Sequence, residues 1–269
     1  MTYRFTILGC GSSGGVPRIG MNWGACDPAN PKNRRLRCSA LIERMGEGAH
    51  KGGQTAVLID TSPDFRAQIL STRATALDGV LYTHDHADHT HGIDDLRMVS
   101  FAMKKRVEVY FDAKTGKSLR DRFAYCFKTP EHSNYMPILN GHDIDGVTPI
   151  EIQGGGGTIT ATPIPQVHGD ITSLGYRVST LAYSPDISDI PAASLPLLEG
   201  LDVWIVDALR STPHESHFSV KQAVAWSQRL HVKRTILTHM TSELDYDTLR
   251  RELPPGIEPA YDGMQVVFG

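Results

Sequence analysis

Between residues 83 and 92 the chain reads THDHADHTHG, which places His84, His86, His89, His91, Asp85 and Asp88 within ten positions. An apolar, strand-like run, GVLYT at 79–83, leads into it. On an extended strand end His84 and His86 stand at i and i+2, so both rings leave one face and can chelate a single ion. A turn at Ala87 would then carry Asp88 and His89 to a neighbouring position. Four ligands in six residues exceed what one tetrahedral ion with an open position takes from a single segment. The spacing implies two ions, with the missing ligands supplied from elsewhere in the chain.

Those ligands are expected at the ends of later strands. His168 follows TATPIPQV, Asp186 follows LAYS in YSPDIS, and His239 ends RTILTH. Each is a polar residue closing an apolar run, the position from which several strands can converge on one edge. Strand-like runs lie at 3–8, 55–60, 79–83, 106–111, 158–164, 174–178, 202–206 and 234–238, and helical periodicity at 64–74, 92–103, 113–124, 219–231 and 245–252. Ser219 with Gln222 forms a capping box that would start the helix at 219. Strands dominate each half with helices between them, which suits two packed sheets with helices outside, in one domain over 1–269. GEGAHKGGQ (46–54) and QGGGG (153–157) read as hairpin tips. Residues 125–145 are expected to form a lid or an insertion.

His84-x-His86-x-Asp88-His89, followed in order by His168, Asp186 and His239, resembles the motif set of the metallo-β-lactamase superfamily. The likeness runs from ILGCGSSGGVP (7–17) to YDGMQVVF (261–268). It implies an α/β fold, an αββα sandwich with a dinuclear site at one edge of the sheets. By position, His84, His86 and His168 would bind one divalent ion, Asp88, His89 and His239 a second, and Asp186 would bridge them. Asp60, closing TAVLID, resembles the buried acid that orients such a site. Within the superfamily GGVP, RCSALI (37–42), DALR…HESHFS (207–219), ILTHM (236–240) and YDGM are most similar to the phosphoribosyl cyclic phosphodiesterases. Those enzymes can carry a separate structural zinc. Here the early loop leaves Cys26 and Cys38 with Ser242 at the later position, a poor zinc site, so none is expected.

The resemblance implies hydrolysis of a small phosphodiester or nucleotide-like substrate, through attack by a hydroxide that bridges the ions. The donors are nitrogen and oxygen only, which suits zinc or manganese. A bridging carboxylate holds two ions roughly 3.5–4 Å apart, the separation used for in-line displacement at phosphorus. True β-lactamases of this fold usually have cysteine where Asp186 stands. His217 matches the family position of the general acid that protonates the leaving group, and an ordinary imidazole pKa near 6.5 would suit that task. It is also the expected substrate contact, and Asp88 is counted with it among the catalytic groups. His214 is the rival for the acid, and Asp207 could orient either ring.

The formal net charge of −3 disfavours nucleic acid and anionic membranes as partners. The alternatives are an RNA-processing nuclease resembling the tRNA 3′-end-processing enzymes, and a non-catalytic relative of a pyrroloquinoline quinone biosynthesis protein. A complete ligand set favours an enzyme, and the absence of a long basic arm disfavours tRNA. KNRRLR (32–37) is the one basic cluster and reads as a solvated face. Gly9-x-Gly11-x-x-Gly14 mimics a dinucleotide fingerprint, but Pro17, Gly20 and Asn22 forbid the helix that should follow; the loop is expected to line the metal edge instead. Four separated cysteines without a C-x-x-C pair argue for a reducing compartment. The start MTYRFTILG lacks a charged-then-apolar signal design, and no apolar run reaches membrane-spanning length. A cytoplasmic homodimer is expected.

Overall fold

The computed structural model describes residues 2–269. Six strands in chain order begin the first sheet: β1 (Thr2–Gly9), β2 (Ser39–Met45), β3 (Gln54–Ile59), β4 (Gly79–Leu81), β5 (Val107–Asp112) and β6 (Leu139–Ile144). The second sheet holds β7 (Ile150–Ile152), β8 (Ile159–His168), β9 (Ile171–Val178), β10 (Leu181–Ser184), β11 (Val203–Asp207), β12 (Arg234–Thr238) and β13 (Ile257–Pro259). The last strand, β14 (Gln265–Phe268), returns to the first sheet and pairs antiparallel with β1. The spatial orders are β14-β1-β2-β3-β4-β5-β6 and β13-β12-β11-β10-β9-β8-β7.

Side-chain alternation along the strands builds two apolar layers. Ala40 and Ile42 of β2 and Val57 and Ile59 of β3 face the second sheet, where they join Ile164, Tyr183 and Ile205. The intervening Leu41 and Leu58 face outwards, against Phe65, Leu96 and Leu119. Those three come from α1 (Phe65–Ser71), α3 (Leu96–Met103) and α4 (Ala113–Arg122). The short α2 (Ala87–Thr90) sits inside the metal-motif segment, and α5 (Ala124–Phe127) follows α4. On the far side, α6 (Val220–Arg229) and α7 (Tyr246–Glu252) cover the second sheet with Ala223 and Leu249. The Ser219–Gln222 capping box is present at the start of α6. The expected αββα sandwich is the observed architecture.

Three local expectations change. Residues 125–145 are not irregular throughout: they supply part of α5 and then β6, an edge strand whose parallel partner is β5. β2 was hidden because both its faces are buried, which erases the alternation that marks a half-exposed strand. KNRRLR is not a solvated face throughout. Arg35 is 1 % exposed and donates to the carbonyls of Thr241 (3.0 Å) and Leu244 (2.6 Å), which give its charge acceptors inside the protein. The tips at 46–54 and 153–157 do join antiparallel neighbours, β2 to β3 and β7 to β8. Among the described residues, no helix is long and apolar enough to cross a membrane.

β3 and β4 are parallel, as are β10, β11 and β12. Their carboxyl ends, together with the end of β8, bring Asp60, His84, His168, Asp186, Asp207 and His239 to one edge.

Candidate metal centre

The chain turns at Ala87 as the spacing requires, because α2 starts there and His89 donates its N–H to the His86 carbonyl at 3.1 Å. Two donor groups result. His84, His86, His168 and Asp186 offer ligand atoms within 4.8 Å of one another, and so do Asp88, His89 and His239. Asp186 stands between the groups. Its Oδ2 lies 3.8 Å from His84 Nε2 and 3.5 Å from His168 Nε2. Its Oδ1 lies 3.0 Å from His89 Nε2 and 3.1 Å from His239 Nδ1. One carboxylate thus turns one oxygen to each group. Asp85 and His91 stay outside: Asp85 pairs with Arg122 at 3.0 Å, and His91 packs on Phe123.

Hydrogen bonds behind the rings fix which nitrogen faces the site. Asp60 is fully buried at the end of β3. Its Oδ1 accepts the Thr83 N–H (2.8 Å), and its Oδ2 accepts the Thr83 hydroxyl (2.8 Å) and His89 Nδ1–H (2.7 Å). Having given its hydrogen to Asp60, the Thr83 hydroxyl can only accept from His84 Nδ1, 2.9 Å away. His168 Nδ1 donates to the Ser216 carbonyl at 2.6 Å. All three imidazoles are therefore turned with Nε2 towards the interior. Thr83 and Ser216 were missed by sequence reasoning; Thr83 directly precedes the motif, whereas a backbone carbonyl has no sequence signal. Asp60 and His239 hold left-handed backbone, with φ of 61° and 57°.

The residues fit a divalent cation. His84 Nε2, His89 Nε2, Asp186 Oδ1 and His239 Nδ1 are buried without a hydrogen-bond partner, a costly state unless something else satisfies them. Burial opposes charge on His89 and His239, yet the adjoining Asp186 carboxylate prevails and raises both well above the usual range. Burial alone would raise Asp186, but His239 and His89 hold it well below the ordinary value. Protons here occupy the electrostatic role of a cation. Burial pushes His168 down to about 4, which keeps its lone pair available.

His217 also reaches this edge, its ring stacked 4.8 Å from that of His239. Its Nδ1 is 2.7 Å from Oδ2 of the fully buried Asp207. His214 has no such partner; its Nδ1 accepts from the Ser216 N–H at 3.3 Å. The ordinary pKa expected for His217 is not found. Burial lowers the ring to about 4, against the upward pull of Asp186. Burial raises Asp207 well above its usual value, opposed by His239. Burial thus weakens the hold of His217 on a proton and strengthens that of Asp207, which draws the hydrogen of their contact towards the carboxylate.

Beside His217 and His239 opens a cavity of about 410 Å³, lined in part by Ser12, Ser13 and Gly14. The glycine-rich loop thus lines the edge, as expected. Cys26 is buried against the carbonyls of Ser242 (3.5 Å) and Leu244 (3.4 Å), and Cys38 lies 3.8 Å from Thr238 Oγ1.

Residues 55–240 match the family model of the beta-lactamase superfamily domain. The crystal structure of a diphosphatase from the PhnP family superposes with a TM-score of 0.87 at 36 % identity, covering 100 % of this chain and 98 % of that one. An octanoyltransferase of Porphyromonas gingivalis is 30 % identical over 98 % of this chain but 51 % of its own length, so the chain spans about half of that relative. The coenzyme PQQ synthesis protein B of Klebsiella pneumoniae is 24 % identical over 97 % of each chain. With the sandwich, the motif order and this site in place, the chain belongs to the metallo-β-lactamase superfamily, as a PhnP-like member.

Proposed function

We propose that the protein is a metal-dependent hydrolase acting on small phosphodiesters or diphosphates. The observation that carries this reading is the Asp186 carboxylate, with one oxygen towards His84 and His168 and the other towards His89 and His239. His84, His86 and His168 would hold one divalent ion, Asp88, His89 and His239 a second, and Asp186 would serve both. Such ions, when bound, supply Lewis acidity towards phosphoryl oxygens and acidify water at neutral pH. The similarity to a PhnP-family diphosphatase supports phosphorus as the reacting centre.

The chain's own residues then handle aim and proton supply. Asp60 fixes His89 directly and His84 through Thr83, so a single carboxylate aims one ligand in each group. His217 stands at the margin of the donor groups and lines the adjoining cavity. An alkoxide leaving group is a strong base and departs slowly without a proton. His217 would give it the Nε2 hydrogen while Asp207 passes its own to Nδ1, so the ring stays neutral and Asp207 ends as the carboxylate. Asp88, its carboxylate 3.6 Å from His89 Nε2, is assigned to ion binding, from where it would also act on the reacting water.

Metal analysis of the purified protein is expected to find two divalent ions per chain, both lost in Asp186→Ala. One ion in the wild type, unaffected by that change, removes the shared-carboxylate reading. Turnover is to be measured on cyclic phosphates, linear diesters, diphosphates, monoesters and precursor tRNA. Small diesters or diphosphates should be preferred. Faster monoester turnover, or cleavage of precursor tRNA alone, overturns the substrate class.

A further inference from the structure

Hydrogen bonds to Thr83, Asp60 and the Ser216 carbonyl hold the rings of His84, His89 and His168, whereas His239 Nδ1 is buried without such a partner. The aim of the His239 ring therefore rests on its backbone, whose φ of 57° is left-handed. In a residue with a Cβ that conformation persists only where the surrounding structure over-determines it. Two side chains outside the donor groups tie down the residues that follow. Arg35 donates to the carbonyls of Thr241 (3.0 Å) and Leu244 (2.6 Å) and to Asn33 Oδ1 (3.3 Å), and lies 3.8 Å from Cys26 Sγ. These acceptors are neutral, and a well-packed apolar side chain would fill the same space at lower cost, so what the guanidinium adds is a fixed loop. Asp262 accepts the Cys10 N–H (3.0 Å) on Oδ1 and the Leu36 N–H (2.7 Å) on Oδ2. The Cys10 carbonyl in turn accepts the Met240 N–H (2.9 Å), and Ser12 donates to the Met240 carbonyl (3.3 Å). Met240 and Thr241, directly after His239, are thus held by Asp262 through Cys10 and by Arg35 directly.

Building on the two-ion reading, we propose that Arg35 and Asp262 are positioning residues that brace residues 239–244 and so aim His239 at the ion it would share with Asp88 and His89. The two side chains reach the segment from opposite directions. Arg35 comes from the stretch before β2, and Asp262 from the turn before β14. Asp262 also grips Leu36, the neighbour of Arg35, so the two ties reinforce each other. Their hydrogen bonds end neither on the 84–89 segment nor on β8, which carry His84, His86 and His168. The brace therefore acts on one donor group and leaves the other largely alone.

The test is calorimetric titration of manganese into the metal-free protein, which should show two binding steps in the wild type. Asp262→Asn keeps the shape of the side chain but turns an amide N–H towards one of the two backbone donors. One step should then weaken about tenfold while the other stays within about twofold. Arg35→Met should weaken the same step at least as much, and Arg35→Lys, which lacks the fork, should fall between. In an Asp88→Ala background, where the His239 group is already broken, Asp262→Asn should leave the remaining ion unchanged. Equal weakening of both steps marks a general loss of structure and overturns the brace, and so do affinities unchanged in Asp262→Asn. A wild type that takes up fewer than two ions removes the two-ion reading instead. Amide exchange of the metal-free protein then decides the brace: residues 239–242 should exchange faster in Asp262→Asn than in the wild type, and equal exchange overturns it.

Discussion

Asp60 and Asp207 are the same side chain, each fully buried at a strand end beside one histidine, and the protein treats them in opposite ways. Asp60 accepts three hydrogen bonds across both oxygens. Asp207 meets His217 Nδ1 and the Ile187 N–H (3.2 Å) through Oδ2, and its buried Oδ1 has no partner. Burial raises the pKa of both; at Asp60 the pull of His89 and the donors of Thr83 restrain the rise, while Asp207 goes well above its usual value. Equal burial therefore does not mean equal protonation. The number of donors aimed at the carboxylate decides it. A saturated carboxylate is suited to holding histidine rings in place, and an under-satisfied one holds a proton more readily.

The contrast breaks most visibly at His217. His217→Ala is expected to lower turnover of an alkyl diester by about 10²–10⁴-fold, and that of bis(nitrophenyl) phosphate far less, because a nitrophenolate needs little protonation. Steady-state rates with metal content measured in parallel check this; equal losses on both substrates would assign His217 to ion or phosphate positioning. Asp60→Ala should do the reverse. Metal affinity is expected to fall about 10–100-fold, with both substrates losing equally at limiting metal and recovering at excess. A leaving-group-dependent loss in Asp60→Ala would erase the distinction between the two carboxylates.

Asp207→Asn sharpens it. The amide keeps the contact with His217 but supplies no transferable acid proton, so the alkyl diester should slow selectively, by less than in His217→Ala, with metal affinity intact. Measured metal loss there would make Asp207 another ligand-aiming group. The smallest effect is on stability without metal. Burial holds His168 and His217 near 4, below the unfolded value of about 6.5, so the unfolded chain binds more protons between those limits. These two groups make stability fall as pH drops from about 6.5 to 4, and His217→Ala should shallow that fall. Urea midpoints of the metal-free proteins across this window would read it, and an unchanged slope would refute the buried, low-pKa ring.

Much of this site was legible because its candidate metal ligands gather at places the sequence marks well. His84 to His89 are contiguous, and His168, Asp186 and His239 close apolar strands. The ring partners were half legible: Asp60 and Asp207 end strands as His239 does, but nothing local separates a saturated carboxylate from an under-satisfied one. That depends on donors brought in from Thr83, His89 and Ile187 by the fold. Arg35 misled for the same reason, since the carbonyls of Thr241 and Leu244 that permit its burial are more than two hundred positions away. β6 was unreadable because LNGHDI is an edge strand with only its ends apolar, paired on one side alone.

The left-handed backbone at Asp60 and His239 would tie the protein's abundance to the supply of the proposed metal. In a residue with a Cβ such a conformation costs about 1–3 kcal/mol. Glycine would relieve the strain and delete the functional side chain, so selection for folding and selection for metal binding pull these two positions apart. The metal-free chain is then the form most easily unfolded, and an ion that binds only the folded chain stabilises it by mass action. Cells starved of that ion should hold less of the protein itself, because unfolded chains are continuously removed by proteases.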